Sequence, residues 1–135
     1  MKTRKGGSHL KIPKSLCDRI AKILGGTGMS NDTCSITIQR NLNATILGKP
    51  YDTEHEITIE SLDKEGNTLN TGEFTLLQTE VQKFIDAVRK EGFIVTALHN
   101  HWLFDKPRLM YLHLESVEPP IEFAKKLRRA LNVLK

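Results

Sequence analysis

The feature that most constrains this chain is a change of hydrophobic period in its second half. Up to Leu77 apolar and polar residues alternate, as in Gly72 to Leu77 with Phe74 and Leu76. From Thr79 they recur at helical spacing, as Val81, Phe84, Ile85 and Val88. Alternation sends successive side chains to opposite faces of a strand, whereas a 3.6-residue period gathers them on one side of a helix. Thr79 and Gln82 make a capping box for that helix, and Gly92 ends it. Phe93 to Leu98 is then a mostly apolar run with β-branched residues, suited to an interior strand. Leu109 to Glu115 reads as a second strand, after a turn around Asp105-Lys106-Pro107. Pro119-Pro120 opens a final helix with Phe123, Leu127, Ala130, Leu131 and Leu134 on one face. The order strand–helix–strand–strand–helix over 72–134 implies a right-handed crossover that leaves the strands flanking the 79–91 helix parallel. The expected fold class is α+β, a mixed sheet with helices packed mainly on one face.

The first half adds a helix and short strands. Pro13 to Leu24 carries Leu16, Ile20, Ile23 and Leu24 at helical spacing, with Gly25 and Gly26 as its stop. The Gly-Gly-Thr-Gly run at 25–28 follows a helix and lacks the Lys-Ser/Thr of a phosphate-binding loop, so it reads as a helix stop and loop. Ser35 to Arg40 alternates through Ile36 and Ile38, and Ala44 to Leu47 resumes after the polar turn Asn41-Leu42-Asn43. Residues 49–55 read as a loop, His55 to Leu62 alternates through Ile57 and Ile59, and Asp63 to Asn67 is a turn. Residues 1–11 read as a flexible basic segment and 12–135 as a single domain, which suits a chain of 135 residues.

Charge matters because the chain is formally +4. Lys2, Arg4, Lys5, Lys11 and Lys14 precede the first acidic residue, Asp18, which leaves 15 of the 20 basic residues against 16 acidic ones. The excess belongs to the leading segment, so nucleic acid is a disfavoured partner for the folded body. Lys125, Lys126 and Arg129 on the last helix offer at most a weak phosphate-binding surface, and the aromatic pattern of a single-strand binder is absent. No apolar run approaches the ~18 residues of a membrane span. No apolar signal segment follows the basic start, so the chain reads as cytoplasmic as it stands, or exported if an export signal has been removed. Cys17 and Cys34 lack metal-ligand spacing and read as buried free thiols rather than a bridge.

Ala97-Leu98-His99-Asn100-His101 is the most chemically suggestive stretch. Residues two apart on a strand share a face, so His99 and His101 project together. A turn centred near Lys106 sets His99 opposite His113 and His101 opposite Tyr111. Three neutral imidazoles converging in this way could hold a divalent transition metal such as zinc, nickel or iron. Glu80 is the expected fourth group, because it follows a strand that should finish at the same sheet edge as His99. The alternative roles are a hydrogen-bonded polar cluster for the histidines, and a carboxylate facing a helix dipole for Glu80.

At these residues the chain resembles the bacterial LppY/LpqO family. The likeness rests on Leu24 to Gly28, Gln39-Arg40, Gly72 to Leu76 followed by Glu80-Val81, and above all Val95 to His101, Pro107-Arg108 and His113. It spans about residues 20–132, and implies a domain often duplicated within a longer exported chain. A homodimer could therefore replace the duplication here. Glu115-Ser116-Val117-Glu118 stands where that family carries a Gly-rich stretch after the third histidine. The leading functional reading is a small-ligand-binding domain whose pocket comprises His99, His101 and His113 with Asn100 and Arg108. The Arg108 guanidinium would suit an anionic ligand. The alternatives are a metal-dependent, hydrolase-like enzyme using Glu80 as ligand or base, and a weak nucleic-acid binder.

Overall fold

The computed structural model describes residues 9–135. The expected mobility of the basic start falls largely on residues 1–8, which lie outside the described residues. Residues 10–12 are fixed: Leu10 exchanges backbone hydrogen bonds with Leu62, and Ile12 is buried.

In chain order the elements are α1 (Lys14–Leu24), β1 (Thr27–Ser30), β2 (Cys34–Arg40), β3 (Thr45–Ile46), β4 (Lys49–Pro50), β5 (Thr53–Glu60), β6 (Thr68–Leu77), α2 (Val81–Lys90), β7 (Ile94–His99), β8 (Asp105–Lys106), β9 (Leu109–Glu118) and α3 (Pro120–Leu131). Six strands form the main sheet in the order β1-β2-β5-β6-β9-β7, and β4-β3-β8 form a small second one. The fold is α+β, as the change of period implies. β6 and β7, on either side of α2, do run in the same direction. They are not neighbours, because β9 lies between them and pairs antiparallel with both.

One apolar core joins the helices to one face of the sheet. Ile20 and Leu24 of α1, Phe84 and Val88 of α2, and Phe123 and Leu127 of α3 pack with Ile36, Ile57, Phe74, Leu76, Leu112 and Leu114. The sheet's other face divides in two. Leu109 and Tyr111, with Leu77, pack under Ala44, Leu42 and Tyr51, so the 41–52 segment covers that end. Glu73, His113 and Glu115, further along the same strands, stay partly exposed. No helix among the described residues is long and apolar enough to cross a membrane.

Several expectations are corrected here. Cys17 and Cys34 are a disulfide rather than free thiols. Both lie on core-facing positions, and the packing of α1 on β1 and β2 brings their Cα atoms to 5.5 Å. The Gly-rich run is not all loop: Gly25 closes α1 in the left-handed region, and the chain enters β1 at Thr27. A Cβ on Gly26 would fall 2.6 Å from the Thr37 carbonyl oxygen, so close strand approach explains that glycine. Residues 49–50 and 53–55 are strand rather than loop, and Thr45–Ile46 belongs to the small sheet rather than continuing β2.

β7 is an edge strand, not an interior one, and its Thr96, Ala97 and Leu98 are exposed. Apolar, β-branched composition suits either position; only long-range pairing separates them. The entry to α2 also differs. A 3-10 turn at Gln78–Glu80 precedes it, and Glu80, not Gln82, reaches back to accept the Leu77 N–H at 2.7 Å.

Candidate metal centre

The histidines project from the sheet face opposite the helices. Along β9, Leu112 and Leu114 enter the core, so Tyr111 and His113 must point the other way. The same parity along β6 turns Glu73 outward beside inward Phe74, and Glu73 is the register partner of His113. On β7 an irregularity between Val95 and Ala97 shifts the pairing. His99 is therefore opposite Tyr111, and Ala97 is opposite His113. This corrects the expected register by two residues. A two-residue shift preserves the face, so His99 still meets His113 diagonally.

Four side chains converge. His99 Nε2 lies 2.9 Å from His113 Nε2, which is 3.1 Å from Glu73 Oε2. His101 Nε2 lies 3.8 Å from the same carboxylate oxygen. Ligand atoms of Glu73, His99 and His101 all fall within 4.8 Å of one another. His99 and His101 stack with ring centroids 5.0 Å apart, and Tyr111 lies under His101 with a centroid separation of 4.0 Å. Burial, together with the neighbouring Tyr51 hydroxyl, pushes the Tyr111 phenol well above its ordinary range, so its role here is a neutral platform for the imidazoles.

The proton count is informative. A ring nitrogen carries either one proton or one lone pair in the ring plane. His113 Nε2 cannot donate to ionised Glu73 while also accepting from His99. Whichever tautomers are present, one of the three converging atoms lacks a well-placed proton. A cation among them would satisfy every lone pair at once. Ligands about 2.0–2.1 Å from a metal stand roughly 2.9–3.4 Å from their neighbours, which brackets the 2.9 and 3.1 Å separations.

Glu73 and His113 also line an open cleft of about 450 Å³, together with Glu56, Glu115, Thr58, Thr71 and Thr96. Glu56 is the register partner of Glu73. A hydrogen bond with Glu54 raises its carboxyl above the usual range, with burial and the charges of Glu54 and Glu73 adding to the effect. This side of the site attracts cations.

The structure brings His99, His101 and His113 together but takes the other expected members elsewhere. Glu80 lies on the helical side of the sheet, where Arg40 holds it through bonds of 2.8 and 2.9 Å. Burial alone would raise its carboxyl; the bonds from Arg40 and the Leu77 N–H outweigh this and hold it below the usual range. Arg108 donates to the carbonyls of Trp102 and Leu103 at 2.9 and 3.3 Å, and Asn100 to that of Trp102 at 3.2 Å. Both brace a loop instead of facing the imidazoles. On α3, Lys126 pairs with Glu118 and Arg129 with Glu91, while Lys125 stays exposed.

Sequence reasoning missed Glu73. Its signal was present, since Glu73 alternates out of phase with Phe74 and so faces away from the core. Finding it beside His113 also required knowing that β9 lies next to β6.

The fold and the site define a small α+β domain with a histidine–glutamate cluster on the open face of an antiparallel sheet. The chain belongs to the family described as Domain of Unknown Function (DUF1259), which matches it over residues 18–133. Comparisons with curated proteins and with solved structures gave no match.

Proposed function

We propose that this domain is a divalent-metal-binding module. Glu73, His99 and His113 supply the core ligands and His101 closes from the solvent side. The observation that carries this reading is the convergence of Glu73 Oε2, His113 Nε2 and His99 Nε2 at 2.9 and 3.1 Å. Three imidazoles and one carboxylate suit zinc, nickel or iron better than magnesium or calcium, which prefer all-oxygen sites. The adjoining cleft admits a small ligand to the metal. Its lining contains carboxylates and threonine hydroxyls and neither Lys nor Arg, which favours a neutral or cationic ligand over the anionic one expected from Arg108.

Within its family we read the chain as LppY/LpqO-like, on the strength of Val95 to His101 and His113. The Cys17–Cys34 bridge supports an oxidising compartment as its working location. The test is calorimetric titration of zinc and nickel into the untagged protein, followed by the imidazole NMR signals. Saturable binding at one ion per chain that shifts the His99, His101 and His113 signals and spares buried His55 supports the reading. Absence of saturable uptake, or uptake that leaves those three signals in place, overturns it.

A further inference from the structure

Beside the histidines, two turns form an apolar tip that the fold presents to solvent. Leu47 is 74% exposed, Leu103 75% and Phe104 62%, with Trp102 behind them. The two turns are tied together, since the Leu47 N–H donates to the Phe104 carbonyl at 3.3 Å and β3 pairs with both β4 and β8.

Neither packing nor backbone preference explains Leu47. It occupies the left-handed region with φ 51°, beside Gly48 at φ 81°, in a turn where Asn, Asp or Gly is the ordinary choice. A leucine there is strained and stays in water. The facing loop is held rather than loose: Arg108 and Asn100 hold the Trp102 and Leu103 carbonyls, and Trp102 packs edge-on against Tyr51 at 5.6 Å. Buried Asp105 accepts the Leu109 N–H at 2.8 Å at the base of the loop. The apolar side chains are thus fixed outward on a braced frame.

Charge identifies the partner. Lys49 and Lys106 are exposed at the base of the tip, and Arg108 lies behind them; Asp52 is the one exposed carboxylate of the two segments 44–52 and 100–108. A second copy docking here about a two-fold axis would set this basic collar against itself. We propose that the tip docks on an anionic lipid surface. Leu47, Leu103 and Phe104 would enter the headgroup–acyl boundary, with Lys49 and Lys106 at the phosphates.

Trp102 is the chain's single tryptophan, so its fluorescence reports on the tip alone. The experiment titrates the protein with vesicles of phosphatidylcholine, with and without phosphatidylglycerol, and includes brominated lipids as depth-dependent quenchers. The expected result is a blue shift and quenching on the anionic vesicles, with affinity roughly tenfold or more above that for neutral ones. Leu103→Ser/Phe104→Ser, checked for folding by circular dichroism, should lose at least tenfold in binding. Lys49→Gln/Lys106→Gln should lose the preference for anionic lipid. No shift on either vesicle, or undiminished binding by the Leu103→Ser/Phe104→Ser variant, overturns the proposal. So does a blue shift that grows with protein concentration without vesicles, which would assign the tip to a second copy. Metal titration is independent of these outcomes.

Discussion

Acidification should destabilise this domain through one buried imidazole. His55 points into the core from β5, is 3% exposed and accepts the Thr75 N–H on Nδ1 at 3.2 Å, so its proton is on Nε2. Burial, reinforced by the Arg40 charge and partly offset by Glu80, lowers its pKa from 6.5 to about 3. A histidine with a depressed folded pKa stays neutral in the native state while the unfolded chain takes up a proton. Stability is therefore fully present above pH 6.5 and falls as pH drops through the window from 6.5 to 3. The slope approaches ~1.4 kcal/mol per pH unit inside that window, and the full effect is about 5 kcal/mol. Against a typical total of ~5–15 kcal/mol, that is enough to unfold many domains of this size. The comparison is urea unfolding of wild type and His55→Asn at fixed ionic strength from pH 7.5 to 4.5. Asn can still accept the Thr75 N–H but does not titrate. The variant should be less stable at neutral pH, through the volume it loses, yet show a flatter decline by up to one proton. Parallel slopes for the two proteins would show that His55 does not carry the pH dependence.

Other predictions follow from the same structure. Arg40→Met leaves the Glu80 carboxylate buried without its partner and should cost ~3–5 kcal/mol in denaturant melts; a loss below 1 kcal/mol would mean that the pair is not buried in solution. Reducing or deleting the Cys17–Cys34 bridge, whose sequence separation is 17, should lower stability by about 3 kcal/mol. Equal melts with and without reductant, with Ellman-reactive thiols in both, would show that the bridge does not form. His101→Ala should change stability by no more than ~0.5 kcal/mol, because the ring is 38% exposed, while weakening zinc uptake at least tenfold. A stability loss well above that, with zinc uptake unchanged in the folded variant, would make His101 architecture.

Much of the fold was legible because local rules and tertiary structure agree. The stripe from Leu16 to Leu24 with its Gly25 stop, the alternation through Ile36, Ile57 and Phe74, and the Pro119-Pro120 start each named an element correctly. The shared face of the three histidines was legible for the same reason, since strand parity survives a two-residue error in register. What was hidden depends on pairing between distant segments. Nothing local to 109–118 says that β9 lies between β6 and β7, and this position is what brings Glu73 to His113 and leaves β7 at an edge. Arg40 and Glu80 are 40 residues apart and meet only because α2 starts beside the end of β2. The disulfide was missed because two core-facing cysteines look the same from sequence whether or not their elements touch.

That Glu73, His99 and His113, with His101, hold a divalent metal is tested most directly by stoichiometry. Untagged protein would be loaded separately with zinc and with nickel, passed through chelating resin and measured by elemental analysis. Glu73→Gln, His99→Ala and Glu80→Gln would be treated in parallel, with folding checked for each. Wild type and Glu80→Gln should hold about one ion per folded chain, and Glu73→Gln and His99→Ala less than about a tenth of that. Metal-free wild type, or retention by Glu73→Gln with loss by Glu80→Gln, would contradict this assignment.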